Sequence, residues 1–570
     1  MKKIFQYMAI GALALASASC LELSPKDQLA DPDLWSKPGD FENFANKFYD
    51  WLPNFDQVYD NFHADKRSDL LMDKGGKNVF ANGTNTVPAG DGDYSGSYSH
   101  IRRCNLLIQN SAKYPTESEI RQPLGEAYFF RAWNYFFLVQ KYGDVIIVDE
   151  PIDVDDPRMN AKRDDRGQVI DFIIEDLRKA ISLLKSTSEV EEGRVGSEGA
   201  QAFLSRVALF EGTWQKFRNN ESRAHDLLDI AANSALDVIK SGKFELFAPA
   251  ALGDSAQKYM FILEDVACNP AGLQKSANKE YIIKRCFHAT LKTTGKNLTT
   301  EVLANAQYVS AKLVDMYLCD DGLPIDKSPR FKGYETVKSE WQNRDNRMRY
   351  TLMRPGDSFW NNSAANSRTD WSGSEAELAR AKYKNFLPNW GCGYFPQKWA
   401  TERVCNDRDE SYDFPVLRYA EVLLNYAEAV YERDGRISDE DLNLSLNLTR
   451  RRVNKKMPLL SNALVSANGL DMREEIRRER TIELFQEGFR IDDLKRWKTA
   501  ETEMPMDFLG IKHVGEWRNR WANPGFATNN DGRLIIESGR VWNEKHYLHP
   551  LPVDQLQLNP NLGQNPGWAN

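Results

Sequence analysis

Residues 479–497 read ERTIELFQEGFRIDDLKRW. Seven charged side chains recur here at spacings of three and four: Glu479, Arg480, Glu483, Glu487, Arg490, Asp493 and Arg496. On a helix those spacings set carboxylates beside guanidinium groups. Carboxylates and guanidiniums also form bidentate hydrogen-bonded links between helices. Acid pairs do general acid–base work too, but alternating charge of this density reads as a packing network. The spacing predicts a helix that begins at Asp471, where Asp471 and Glu474 have capping-box positions, and runs towards Trp497.

Outward from this block the pattern is mainly helical. Towards the N-terminus, a stripe at Leu417, Ala420, Leu424, Ala427 and Tyr431 predicts a helix over 414–433, and another is expected over 438–455. Residues 117–141 carry Tyr128, Phe129, Phe130, Trp133, Tyr135, Phe136 and Phe137, the content of a helix buried nearly all round, and end at Gly143, a left-handed cap. Amphipathic helices are expected at 167–185, 197–217 and 222–241. Successive helices on short loops pack as antiparallel pairs. Between these regions, over 244–410, Gly, Asn, Ser, Pro and Trp become frequent and helical periodicity fades, with a short strand expected near 280–287. The fold class is mainly α: a scaffold of helix pairs with an inserted loop-rich, irregular lobe and few short strands. The helical scaffold is placed at about 41–243 and 411–500, the lobe at about 244–410 and an irregular C-terminal segment at 501–570, all in one body of 41–570.

The N-terminus carries its own signal. Lys2 and Lys3 precede an apolar run from Ile4 to Leu15, then Ala16, Ser17, Ala18, Ser19 and Cys20. The run is too short to span a bilayer, which takes roughly 20 apolar residues, and reads as a secretion signal over 1–19. Residues 20–40, with Pro25, Pro32 and Pro38, read as a linker. The formal charge of −8 becomes −10 when Lys2 and Lys3 leave with the signal. An acidic chain without a long basic run argues against nucleic acid as a partner and against electrostatic attraction to anionic lipids. Apart from Cys20, the cysteines are Cys104, Cys268, Cys286, Cys319, Cys392 and Cys405. None forms a CxxC pair, so a zinc or thioredoxin-type site has no support, while disulfide pairing stays open.

Six blocks in order along the chain resemble one family. The 479–497 block resembles the ER..EL..EG.R..DL.RW segment of the SusD/RagB family, surface glycan-binding lipoproteins of Bacteroidetes. Phe130-Arg131-Ala132 with Tyr135, Tyr142 and Gly143 resembles an early segment of that family, and Lys312, Asp315, Tyr317, Asp321 and Gly322 a middle one. Arg344-Asp345-Asn346-Arg347-Met348 stands where RDPRL is usual, with Asn346 in place of proline. LRYAEVLLNYAEA from Leu417 to Ala429, and Leu551-Pro552 followed by Asn559-Pro560-Asn561-Leu562 and Gln564-Asn565-Pro566-Gly567, complete the set. The resemblance implies a tetratricopeptide-like scaffold, no catalytic residues, no cofactor, lipidation at Cys20 and an outer-membrane, surface-exposed location. It also implies a SusC-type TonB-dependent transporter as partner. Ser17 departs from the usual lipoprotein cleavage pattern, which has Leu there.

The family's ligand contacts come from variable loops, so candidate site residues rest on local chemistry. Aromatic faces stack on sugar rings while amide and charged groups bind hydroxyls. Three loop-like stretches fit: Asn82 to Tyr98 with Tyr94; Trp341 to Trp371 with Trp341, Trp360 and Trp371 among Asn361, Asn362, Asn366, Arg368 and Asp370; and Asn389 to Tyr394 with Trp390. The expected ligand is an oligosaccharide or polysaccharide. A peptide ligand is an alternative, which would favour a long groove. A secreted glycoside hydrolase is another, which needs two carboxylates roughly 5–10 Å apart. His546 and His549 do not form HExxH, and no EF-hand pattern appears, so no metal site is assigned.

Overall fold

The computed structural model describes residues 35–55, 64–73, 78–153, 155–303, 307–355, 366–368, 383–385, 392–403 and 405–569. The expected signal, Cys20 and most of the expected linker lie outside them, as do Trp360, Trp371 and Trp390.

The principal helices, numbered in chain order, are α1 (Pro38–Asn46), α2 (Gly92–Ser111), α3 (Glu117–Tyr142), α4 (Arg166–Leu183), α5 (Ser197–Lys216), α6 (Glu221–Ser241), α7 (Tyr419–Asp434), α8 (Met472–Glu483) and α9 (Arg490–Arg496). Each of α2 to α6 packs on the next, α7 closes on α5 and α6, and α8 packs on α7. The helices start where capping chemistry allows. Asp165 accepts from the Gly167 backbone N–H while Gln168 reaches back to the Asp165 N–H, and Asp471 accepts from the Glu474 N–H at 3.1 Å, at the expected start of α8. Gly143, at φ +78°, ends α3 and donates its N–H to Val139.

Strand is confined to short pieces, which form four two-stranded sheets among the described residues. Leu71–Asp73 pairs antiparallel with Gln307–Val309, Tyr281–Arg285 with Phe414–Arg418, and Phe508–Lys512 with Arg533–Glu537. Asn366–Arg368 pairs parallel with Tyr383–Asn385. A mainly helical fold with few short strands is therefore observed.

Three helical expectations are corrected. Residues 414–418 are strand, not helix: Pro415 disfavours helical geometry at Phe414, and the pairing with Tyr281–Arg285 fixes the extended form. The helix expected over 438–455 is two, Asp439–Leu444 and Leu446–Arg451, broken at Ser445 (φ −133°, ψ −100°). The charged block is also split. α8 ends at Glu483, and Gln486 and Gly488 take positive φ (59° and 83°) before α9 starts. There the Gln486 N–H donates to the buried Asp65 carboxylate at 2.6 Å, a tertiary contact that competes with helix continuation. The six described cysteines other than Cys20 are free thiols, Cys286 alone among them exposed.

Candidate functional site

The charged block builds the frame around the site. Arg418 donates to Glu280, Glu483 and Glu487, each at 2.7 Å, and is almost wholly buried. Arg347 bridges Asp345, Glu479 and Glu483; Arg452 joins Glu280 and Glu483. Arg490 pairs with Asp69, Arg480 with Asp493, and Arg496 with Glu428. Burial raises the Glu483 carboxyl, but Arg452, Arg418 and Arg347 more than offset it and hold the group at about 2. All seven side chains of the block are thus tied into pairs between elements. Asn346, the residue in the place of the usual proline, uses the N–H a proline lacks to donate to Asn454 Oδ1 at 2.8 Å.

Above part of this frame, α2, α3, α5 and the 487–496 segment enclose a cleft of about 260 Å³. Its walls hold aromatic rings in fixed attitudes. Trp51 stacks on His100, with centroids 4.1 Å apart and planes 16° apart. Trp133 stacks on Phe203 at 4.6 Å and 24°. The Arg206 guanidinium sits 5.2 Å from the Phe489 ring and is locked by two 2.7 Å hydrogen bonds to Glu421. Trp51, Trp133 and Phe489 keep part of their surface exposed. Polar groups lie among them: Asp93 at the mouth, then Ser97, Asn134 and Gln140. His100 Nδ1 meets Asn134 Oδ1 at 3.0 Å, and burial lowers the imidazole's affinity for a proton, so the ring is neutral near pH 7. Three of the cleft's four carboxylates are engaged by cations, Asp93 by Lys141, Glu487 by Arg418 and Lys398, and Asp493 by Arg480 and Arg496, and the fourth, Asp492, lies in the wall beside Asp493. Rigid apolar faces with a few placed polar groups are the usual make-up of a ligand site.

A second concavity, of about 530 Å³, opens beside Trp341. Arg344, Arg349, Arg354, Lys455 and Lys456 line it, with the carboxylates of Asp254, Asp320 and Asp345. Among the described residues, no three or more His, Cys, Asp or Glu side chains are grouped to hold a metal ion.

The residues expected in the site divide. Tyr94, expected as a ligand-facing ring, is packed inside. The helix α2 starts at Gly92, capped by Asp91, and turns the Tyr94 ring against Tyr98 and Tyr142, leaving it 4% exposed. Trp341 does reach a concavity but is 9% exposed, part of the wall and not a free platform. Trp360, Trp371 and Trp390 fall outside the described residues. Nothing in the sequence marks the cleft aromatics Trp51, His100, Trp133 and Phe489 as site residues. Trp133 reads in sequence as one more ring of a buried helix, and its neighbour Asn134 is the only local hint of a polar opening.

A family model described as "SusD family" matches residues 279–568, and one described as "Starch-binding associating with outer membrane" matches 53–209. A SusD-like protein P2 from Formosa agariphila is 24% identical over 489 residues, 83% of this chain and 79% of that protein. A SusD-like protein from Bacteroides ovatus is 29% identical over 161 residues, 27% of this chain and only 28% of that protein's length. Among solved structures, a SusD-like carbohydrate binding protein from Bacteroides fragilis NCTC 9343 superposes with TM-score 0.72 at 21% identity, over 93% of this chain and all of that one. Surface glycan-binding protein A from Bacteroides fluxus gives TM-score 0.59 at 20% identity, over 94% and 100%. At these identities the structures show a shared fold, and the family match covers just over half of the chain: this protein belongs to the SusD family.

Proposed function

We propose that this protein is a non-enzymatic, cell-surface binding lipoprotein, held at the outer membrane through Cys20, that captures oligosaccharides or polysaccharides and delivers them to a SusC-type TonB-dependent transporter. The observation that carries the reading is the aromatic cleft, where the Trp51 and Trp133 indoles are held rigid by their stacking partners. A pyranose ring presents an apolar C–H face to such rings and hydroxyls to the amides of Asn134 and Gln140. Glycan-binding proteins of this family are non-catalytic, and the salt bridges on Asp93, Glu487 and Asp493 agree with a binding role. The match of residues 53–209 to an outer-membrane-associated family model supports the location.

Isothermal titration against a panel of neutral oligosaccharides tests it. Trp51→Ala and Trp133→Ala should each weaken binding roughly tenfold, about 1.4 kcal/mol, with an unchanged far-ultraviolet spectrum. Capture of peptides and of no oligosaccharide would instead support a peptide carrier, and release of product from any polysaccharide would support a hydrolase.

A further inference from the structure

The recess beside Trp341 has a charge character opposite to that of the chain. The protein carries a formal charge of −8, yet five cationic side chains face three carboxylates here. Two of those carboxylates are paired with cations from outside the recess lining. Asp320 is held by Arg330, Asp345 by Arg347 and by Asn454 at 2.7 Å, and Asp254 accepts the Tyr350 hydroxyl at 3.0 Å. The buried Arg344 is fixed by donating to the carbonyls of Glu340, Val314 and Tyr317, so it adds fixed positive charge to the wall. Lys455 and Lys456, both exposed at the rim, have no hydrogen-bond or ion-pair partner for their ammonium groups among the described residues. The backbone that carries them is anchored: Arg451 donates to the Lys455 carbonyl, and Asn454, just before them, bonds Asp345 and the Asn346 N–H. The volume of about 530 Å³ lies within the range of small-molecule sites. Cationic side chains gathered on a concave surface, with the two rim ammonium groups of Lys455 and Lys456 available, favour anions.

We propose that this recess is a second subsite that binds an anionic group of a saccharide, a uronate carboxylate or a sulfate ester, with Lys455 and Lys456 as its principal contacts. The assignment rests on the glycan-capture reading and makes the protein selective for charged over neutral glycans.

The mature full-length protein is titrated with a neutral gluco-oligosaccharide, a galacturonate oligomer and a sulfated galactan oligomer of matched length, at 20 mM and 300 mM salt. The expected result is at least tenfold tighter binding of one or both charged oligomers at low salt, with a steep loss at high salt. Which of them binds tells carboxylate from sulfate. The variants Lys455→Ala/Lys456→Ala and Lys455→Glu/Lys456→Glu should remove that preference and its salt dependence while leaving neutral binding unchanged. Both lysines are exposed, so neither variant removes a core contact. Equal binding of charged and neutral oligomers, or charged binding that survives in both variants, overturns the subsite and leaves the capture reading standing. No binding of any oligomer overturns both. Binding to phosphatidylglycerol vesicles, lost in the variants, without charged-oligomer binding would assign the recess to the membrane and overturn the saccharide subsite.

Discussion

Glu340 shows how much a single buried group sets the conditions under which this fold is stable. The side chain is 3% exposed and accepts a 2.8 Å hydrogen bond from the Tyr394 hydroxyl. Burial pushes its carboxyl up to about 7, only partly opposed by Tyr394, Arg533 and Arg344. An unfolded glutamate titrates near ~4.3, so the folded state holds this proton more tightly. The resulting stability is full below about pH 4.3 and is lost as pH rises through about 7. Glu340→Gln keeps an acceptor for Tyr394 and removes the ionisation. Urea unfolding at pH 5, 6 and 7.5 should show the variant gaining on the wild type as pH rises, by on the order of 1–3 kcal/mol across the window. Parallel pH profiles for the two proteins would sink this. At this scale the sequence is legible in kind but not in pairing. The 479–497 charges announce a network, but Glu479 meets Arg347 and Arg490 meets Asp69 across long stretches of chain, and local spacing carries no record of either partner.

Elements were legible where periodicity and caps agree, and less so where a distant contact overrides them. α3 to α6 appear close to their expected spans because their apolar stripes are long and their ends carry Gly143, Asp165 and Gly242. The strand at Phe414–Arg418 and the break after Glu483 depend on partners elsewhere in the chain, Tyr281–Arg285 and Asp65. The cleft was hidden for a related reason: its rings come from α2, α3, α5 and two connecting segments, and nothing local distinguishes a ring facing a cavity from one facing the core. Gly143 is the element-scale test. It holds φ +78°, ψ −115°, and a Cβ there would lie 2.8 Å from Leu548 Cδ1. Gly143→Ala therefore meets both backbone strain and the C-terminal segment packed behind it, costing about 1–3 kcal/mol. Thermal unfolding of the variant measures this, and an unchanged midpoint would show that the turn relaxes without cost.

At the scale of the whole molecule, the last part of the chain ties the helical half shut. Asn565 donates to the carbonyls of Tyr142 and His549, Arg163 donates to the Leu562 carbonyl and to Asn565 Oδ1, and the His549 N–H donates to the Lys141 carbonyl. The C-terminal block read from sequence as a family signature is thus the clasp that covers the end of α3. Among the described residues no helix is long and apolar enough to cross a membrane, and the charge of −8 gives no general attraction to anionic lipids. In the proposed function, acyl chains on Cys20 would hold the body at the membrane, since two or more chains hold a protein stably where one is marginal. Cys20→Ala, expressed with the same export signal, should move the protein from the salt-washed membrane fraction to the soluble fraction. Its unfolding midpoint and its glycan affinity should stay unchanged, because Trp51, the cleft ring nearest to residue 20 in the chain, is held by its own stacking contacts with Phe48 and His100. Retention in the membrane fraction after a high-salt wash would mean that something other than the lipid holds the body in place. A soluble variant that had also lost its glycan affinity would show instead that the tether region takes part in the site.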